Sequence, residues 1–210
     1  MPASHLARSE RSGLCDALIQ AGPGAPTLCE GWRTRDLAAH LFVRERRPLA
    51  ATGILLGGSF AKLTARSMTA ALRSFGYVGL VAKVRSGPPA LWRPLDELVN
   101  VVEFFVHTED VRRAVPGWEA RKDRQLDAAL WSNLSCMAKL MARKLKGAGL
   151  ELESPEGARI VAHGGEPCAV LSGGAQELVL YLSGRSEVAK VSLTGPDEAV
   201  RAVQRTGFGV

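Results

Sequence analysis

Glu103 and His107 stand four residues apart, a spacing that on a helix stacks one side chain above the other with about 5–6 Å between Cβ atoms. Both can then reach a single ion. Asp110 follows three residues later and can either orient the His107 imidazole through its other nitrogen or add a fourth ligand. His40, distant in sequence, lies beside Leu37 and Leu41 in a second helical pattern, on that helix's inner face. Two imidazoles and one carboxylate leave zinc an open coordination position, as catalytic zinc sites do, and they equally match the facial triad of non-haem iron. An ionised carboxylate on a buried face is costly unless it is paired or metal-bound. The spacing leaves a plainer reading open, in which Glu103 and His107 form a hydrogen-bonded pair and His40 is a satisfied core residue. No HExxH or CxxC signature chooses between the two.

Periodicity identifies the elements that must carry these residues. Ala7, Leu14, Leu18 and Ala21 share one face of a helix over 3–21, closed by Gly22-Pro23-Gly24. Thr34 is placed as the cap of the second helix, with Asp36 in its first turn. A third helix spans 61–86 around Gly76 and Gly79. Pro94 suits the first turn of a fourth, which runs to Val115 and presents Val99, Val102, Glu103, Val106, His107 and Asp110 as one stripe. Leu126, Leu130, Leu134, Met137, Met141 and Leu145 predict a helix over 123–146, with Gly147 as its C-cap. Long helices imply a bundle through residue 148. Beyond Gly149 the texture changes to strand-like runs at 151–153, 159–162 and 168–171, a helix over Ala175–Leu182, a strand over 189–193 and a helix from Pro196. The expected fold is therefore mainly α with a small α/β domain, divided as 1–148 and 149–210.

Composition narrows the functional classes. With 46% hydrophobic and 23% charged residues among 210, the chain has a globular balance. Its longest uncharged run, 14 residues over 48–61, is too short for the ~20 of a membrane span. His5, Arg8, Glu10 and Arg11 stand where a secretory signal would carry its apolar stretch, so a cytoplasmic location is expected. Cys15, Cys29, Cys136 and Cys168 are scattered, which suits thiols in a reducing compartment. Charge is uneven: 22 basic against 13 acidic side chains through residue 149, and 5 against 8 thereafter. Arg44, Arg46, Arg47, Arg112 and Arg113 lie near helix ends, where they complement the dipole. No aromatic residues interleave with them as base stacking requires, so nucleic acid is not expected as a partner.

Two segments carry a family resemblance. Leu28-Cys29-Glu30-Gly31-Trp32-Arg33-Thr34-Arg35-Asp36-Leu37-Ala38-Ala39-His40-Leu41 resembles the loop and second helix of actinobacterial proteins related to mycothiol-dependent maleylpyruvate isomerase. Glu103-Phe104-Phe105-Val106-His107-Thr108-Glu109-Asp110-Val111 resembles that family's third-helix motif. The resemblance implies a DinB-like four-helix bundle in which His40, Glu103 and His107 bind a divalent metal, usually zinc, with iron or nickel also accepted by such ligands. The stretch Glu177–Arg185 is similar to the helix and turn of the family's sterol-carrier-like domain. The implied chemistry is a metal-dependent transferase or isomerase acting with mycothiol or a similar thiol on an electrophilic substrate, with Arg185 as the candidate for holding an anionic group. A turn arginine that is simply solvated is the other reading of Arg185, and a non-enzymatic metal or small-ligand binding protein is the alternative for the whole chain.

Overall fold

The computed structural model describes residues 3–46, 59–87 and 96–209, so Arg47, Pro94 and the pairing of Pro88 with Pro89 lie outside it. Among the described residues the chain is mainly α, with seven helices and one four-stranded mixed sheet. It divides into two compact units, Met1–Ala120 and Arg121–Val210.

The first unit holds α1 (Ala3–Ala21), α2 (Thr34–Arg46), α3 (Ser59–Arg85) and α4 (Asp96–Arg112). Ala7, Leu14 and Leu18 of α1 are buried as their spacing requires, while Ala21 at its end is exposed. α1 packs on α4 and α3, and α2 packs on α3. The core they share includes Leu14, Leu18, Leu37, Leu41, Val81 and Phe104. Thr34 is the first residue of α2 instead of its cap, and its hydroxyl donates to the Gly22 carbonyl at the end of α1. The start of α2 is closed by Asp36, whose Oδ2 accepts from the Arg33 N–H at 2.9 Å, the carboxylate half of a capping box. α3 is not one straight helix: Gly76, at φ 62° and ψ 176°, interrupts it. α4 ends at Arg112, before the expected Val115.

The second unit opens with α5 (Arg124–Met141), capped by Asp123, which accepts from the Gln125 and Leu126 N–H groups at 3.0 Å. α5 stops at Met141, with Ala142 as its C-cap in place of Gly147, earlier than the periodicity predicts. Leu126, Leu130, Leu134 and Ala138 form its buried stripe. That stripe packs on α6 and β2, so α5 lies with the strands, whereas the sequence reading grouped it with the bundle. β1 (Gly149–Glu153), β2 (Arg159–His163), β3 (Cys168–Ser172) and β4 (Ser192–Thr194) are ordered β2-β1-β3-β4, with β1 and β3 parallel and the other pairs antiparallel. β4 begins three residues later than expected. α6 (Ala175–Leu182) is buried along its whole length, and α7 (Asp197–Arg205) packs on β3 through buried Ala199 and Val203.

Candidate metal centre

Helix α4 is buried around most of its circumference from Asn100 to Val111, so each polar side chain there needs a partner. Glu103 and His107 share one of its faces. His40, buried on α2 beside Leu37 and Leu41, approaches the same point. One ligand atom from each of His40, Glu103 and His107 falls within 4.8 Å of the others. Glu103 Oε1 lies 3.5 Å from His40 Nε2 and 3.2 Å from His107 Nε2. The His40 ring is flanked by Trp32, at 5.0 Å between centroids, and by His107, at 5.3 Å and 72°.

These separations bear on the plainer reading. A charge-assisted N–H···O bond closes to about 2.7–2.9 Å. A tetrahedral ion with bonds of about 2.1 Å holds neighbouring ligand atoms about 3.4 Å apart. The His40–Glu103 distance matches the second spacing, and the His107–Glu103 distance of 3.2 Å lies between the two, within reach of a hydrogen bond or of an ion's ligand edge. By contrast, His107 Nδ1 stands 2.8 Å from Asp110 Oδ2, an ordinary charge-assisted hydrogen bond. Asp110 thus contacts His107 on the side away from Glu103, the carboxylate–histidine arrangement that orients metal-ligating imidazoles. The donor set therefore fits a divalent ion.

Burial lowers the His40 pKa, despite its hydrogen bond to Glu103, and so keeps the ring neutral and able to ligate. Burial opposes charge on His107 as well, but hydrogen bonds to Asp110, Cys29 and Glu103 outweigh it and hold its pKa well above 6.5. For Glu103 burial also works against ionisation. Its contacts with His107, His40 and Arg44 prevail and hold the carboxyl well below 4.5.

Two participants were not singled out as site residues from sequence. Arg44, read as complementing a helix end, places Nε 3.1 Å from Glu103 Oε1 and donates from Nη1 to Asn100 Oδ1 at 2.6 Å. Its position four residues after His40, on the same face of α2, was the available signal. Cys29 Sγ lies 3.1 Å from Asp110 Oδ2, and nothing in its spacing indicated that contact. Arg46 donates to the Lys83 and Gly87 carbonyls and so ties α2 to the end of α3. Arg113 is buried against Glu109 at 2.6 Å, with its guanidinium 4.2 Å from the Trp118 ring. Arg185 lies in the second unit, half-buried, and donates to the Ser183 carbonyl. No helix among the described residues is long and apolar enough to cross a membrane.

No protein-family profile and no curated protein matches the sequence. The fold is similar to the crystal structure of a mycothiol-dependent maleylpyruvate isomerase, with a TM-score of 0.59 at 19% identity and 94% of each chain covered. A histidine-to-alanine variant of such an isomerase matches with the same TM-score at 18% identity, again over 94% of each chain.

Proposed function

We propose that this chain is a divalent-metal protein, zinc foremost, that works with a small-molecule thiol such as mycothiol as a transferase or isomerase on an electrophilic substrate. His40, Glu103 and His107 hold the ion, and the first unit is a DinB-like bundle. The supporting observation is the spacing around Glu103 Oε1: two imidazole nitrogens at 3.5 and 3.2 Å, wider than charge-assisted hydrogen bonds and suited to the edges of an ion's ligand shell. The likeness of fold to a thiol-dependent isomerase supports the thiol half of the reading.

When bound, the ion supplies Lewis acidity that lowers the pKa of a thiol and makes its thiolate available at neutral pH. The chain's own groups prepare that chemistry. Asp110 accepts a hydrogen bond from His107 Nδ1–H, which leaves Nε2 as the lone-pair atom of the neutral ring. Trp32 packs beside the buried His40 ring, where the lower polarity strengthens that ring's interaction with Glu103. Arg44 balances part of the Glu103 charge. Arg185 is assigned to an anionic group of the substrate, because its planar fork pairs with carboxylate.

Metal analysis of the purified protein and of a His107→Ala variant tests the site. Stoichiometric zinc in the wild type and none in the variant is expected, and unchanged zinc in the variant refutes the assignment. Titration with candidate thiols then separates the two functional classes. Saturable thiol binding that vanishes with the metal supports the enzyme, whereas metal without thiol affinity leaves a metal-binding protein.

A further inference from the structure

Two contacts meet on one oxygen behind His107. Asp110 Oδ2 is 2.8 Å from His107 Nδ1 and 3.1 Å from Cys29 Sγ. The three residues also offer ligand atoms within 4.8 Å of one another, so a second ion pocket has to be considered. The distances argue against it. With metal–sulfur bonds of about 2.3 Å and metal–nitrogen or metal–oxygen bonds of about 2.0 Å, neighbouring ligand atoms stand about 3.3–3.5 Å apart. Both observed separations are shorter and suit hydrogen bonds. The Asp110 side chain is fully buried, and an ionised carboxylate only accepts. The thiol S–H and the ring N–H therefore both donate to it.

The loop that brings Cys29 there is tightly held. The Leu28 N–H donates to the Asp110 carbonyl at 3.0 Å, which fastens the loop to α4 at the residue whose side chain Cys29 touches. The Cys29 carbonyl accepts from the Trp32 N–H at 3.0 Å and from the Thr27 hydroxyl at 3.3 Å. Gly31 closes that turn at φ 74°, a conformation open to glycine at little cost. Of the four cysteines, only Cys29 is in contact with these residues. Cys15 points at the Val81 carbonyl, Cys136 is exposed, and Cys168 lies on β3.

We propose that Cys29 is a positioning residue of the metal centre: its S–H, donated to Asp110, holds that carboxylate in register with His107 Nδ1–H and so fixes the tautomer of the neutral ring in which Nε2 is aimed at the ion. This rests on the metal reading of His40, Glu103 and His107. Without the thiol donor the buried carboxylate loses one of the groups that fix its orientation, and the imidazole loses its fixed tautomer. Loss of such an outer partner typically lowers metal affinity about 10–100-fold.

The test compares Cys29→Ala and Cys29→Ser with the wild type by two readouts. One is zinc affinity by competition with a chromophoric chelator. The other is the His107 tautomer by nitrogen-15 NMR, recorded in the zinc-loaded protein and in the metal-free protein at a pH high enough to neutralise the ring. Cys29→Ala is expected to weaken zinc binding about tenfold or more and to raise the Nε2–H tautomer of the metal-free ring. The serine hydroxyl, a competent donor, is expected to restore both. Unchanged affinity and tautomer in Cys29→Ala overturn the proposal. So does a Cys29→Ser protein of wild-type melting temperature that has lost either property, and this variant decides alone if the alanine one does not fold. A wild type that binds no zinc counts against the metal reading, while the tautomer of the metal-free protein still decides the role of Cys29.

Discussion

Glu103 Oε1 is the point on which the site turns, because His40 Nε2, His107 Nε2 and Arg44 Nε all lie within 3.5 Å of it. In the metal-free protein those neighbours keep the carboxylate ionised and His107 protonated. The raised His107 pKa contributes stability that is full below its unfolded value of about 6.5 and is lost as pH rises through the folded value. The depressed Glu103 pKa contributes stability above its ordinary value, lost as pH falls through the folded one. A metal ion reverses the preference at His107, since it must displace that ring's proton. His40, already neutral, releases none. Zinc affinity is therefore expected to rise roughly tenfold per pH unit on the acid side of the His107 pKa and then to level off. Chelator competition across pH measures this. A slope near two would assign a proton to His40 as well, and a flat profile would remove His107 from the ligand set.

At the scale of elements, α4 supplies Glu103, His107 and Asp110, while α2 supplies His40 and Arg44. Helices α1, α2 and α5 were legible because their apolar residues recur at three- and four-residue steps: Leu14 with Leu18, Leu37 with Leu41, Leu126 through Leu134. Their ends were less legible. α5 stops at Met141 although Leu145 continues its apolar period and is itself buried, because burial of an apolar side chain does not require helical backbone. The break in α3 was also missed, since a glycine in a helical pattern signals only reduced propensity. Gly76 and Gly79 should respond oppositely to substitution. A Cβ at Gly76 meets nothing within 4 Å but imposes a backbone region that is essentially glycine-only, so Gly76→Ala is expected to cost about 1–3 kcal/mol. At Gly79 a Cβ reaches only the Phe75 Cβ at 3.4 Å, and Gly79→Ala is expected to gain up to about 1 kcal/mol. Urea midpoints read both, and equal shifts would contradict this account of the break.

Across the whole molecule, every residue assigned to the ion belongs to the first of the two compact units. An ion that binds only the folded state stabilises by mass action, about 2.7 kcal/mol at 100 times its dissociation constant. Zinc should accordingly slow amide hydrogen exchange in α2 and α4, and should leave it unchanged in His107→Ala. Equal exchange with and without zinc in the wild type would argue against binding between those helices. The sequence by itself determined the helical content, the change of texture after Gly149 and the shared face of Glu103, His107 and Asp110, because these follow from local periodicity and from the backbone preferences of glycine and proline. Only the tertiary structure decided that His40 Nε2 comes within 3.5 Å of Glu103, that Arg44 turns inward to it, and that Cys29 closes on Asp110 from 81 positions away. Such contacts depend on how helices pack and loops close, which no single stretch of residues encodes.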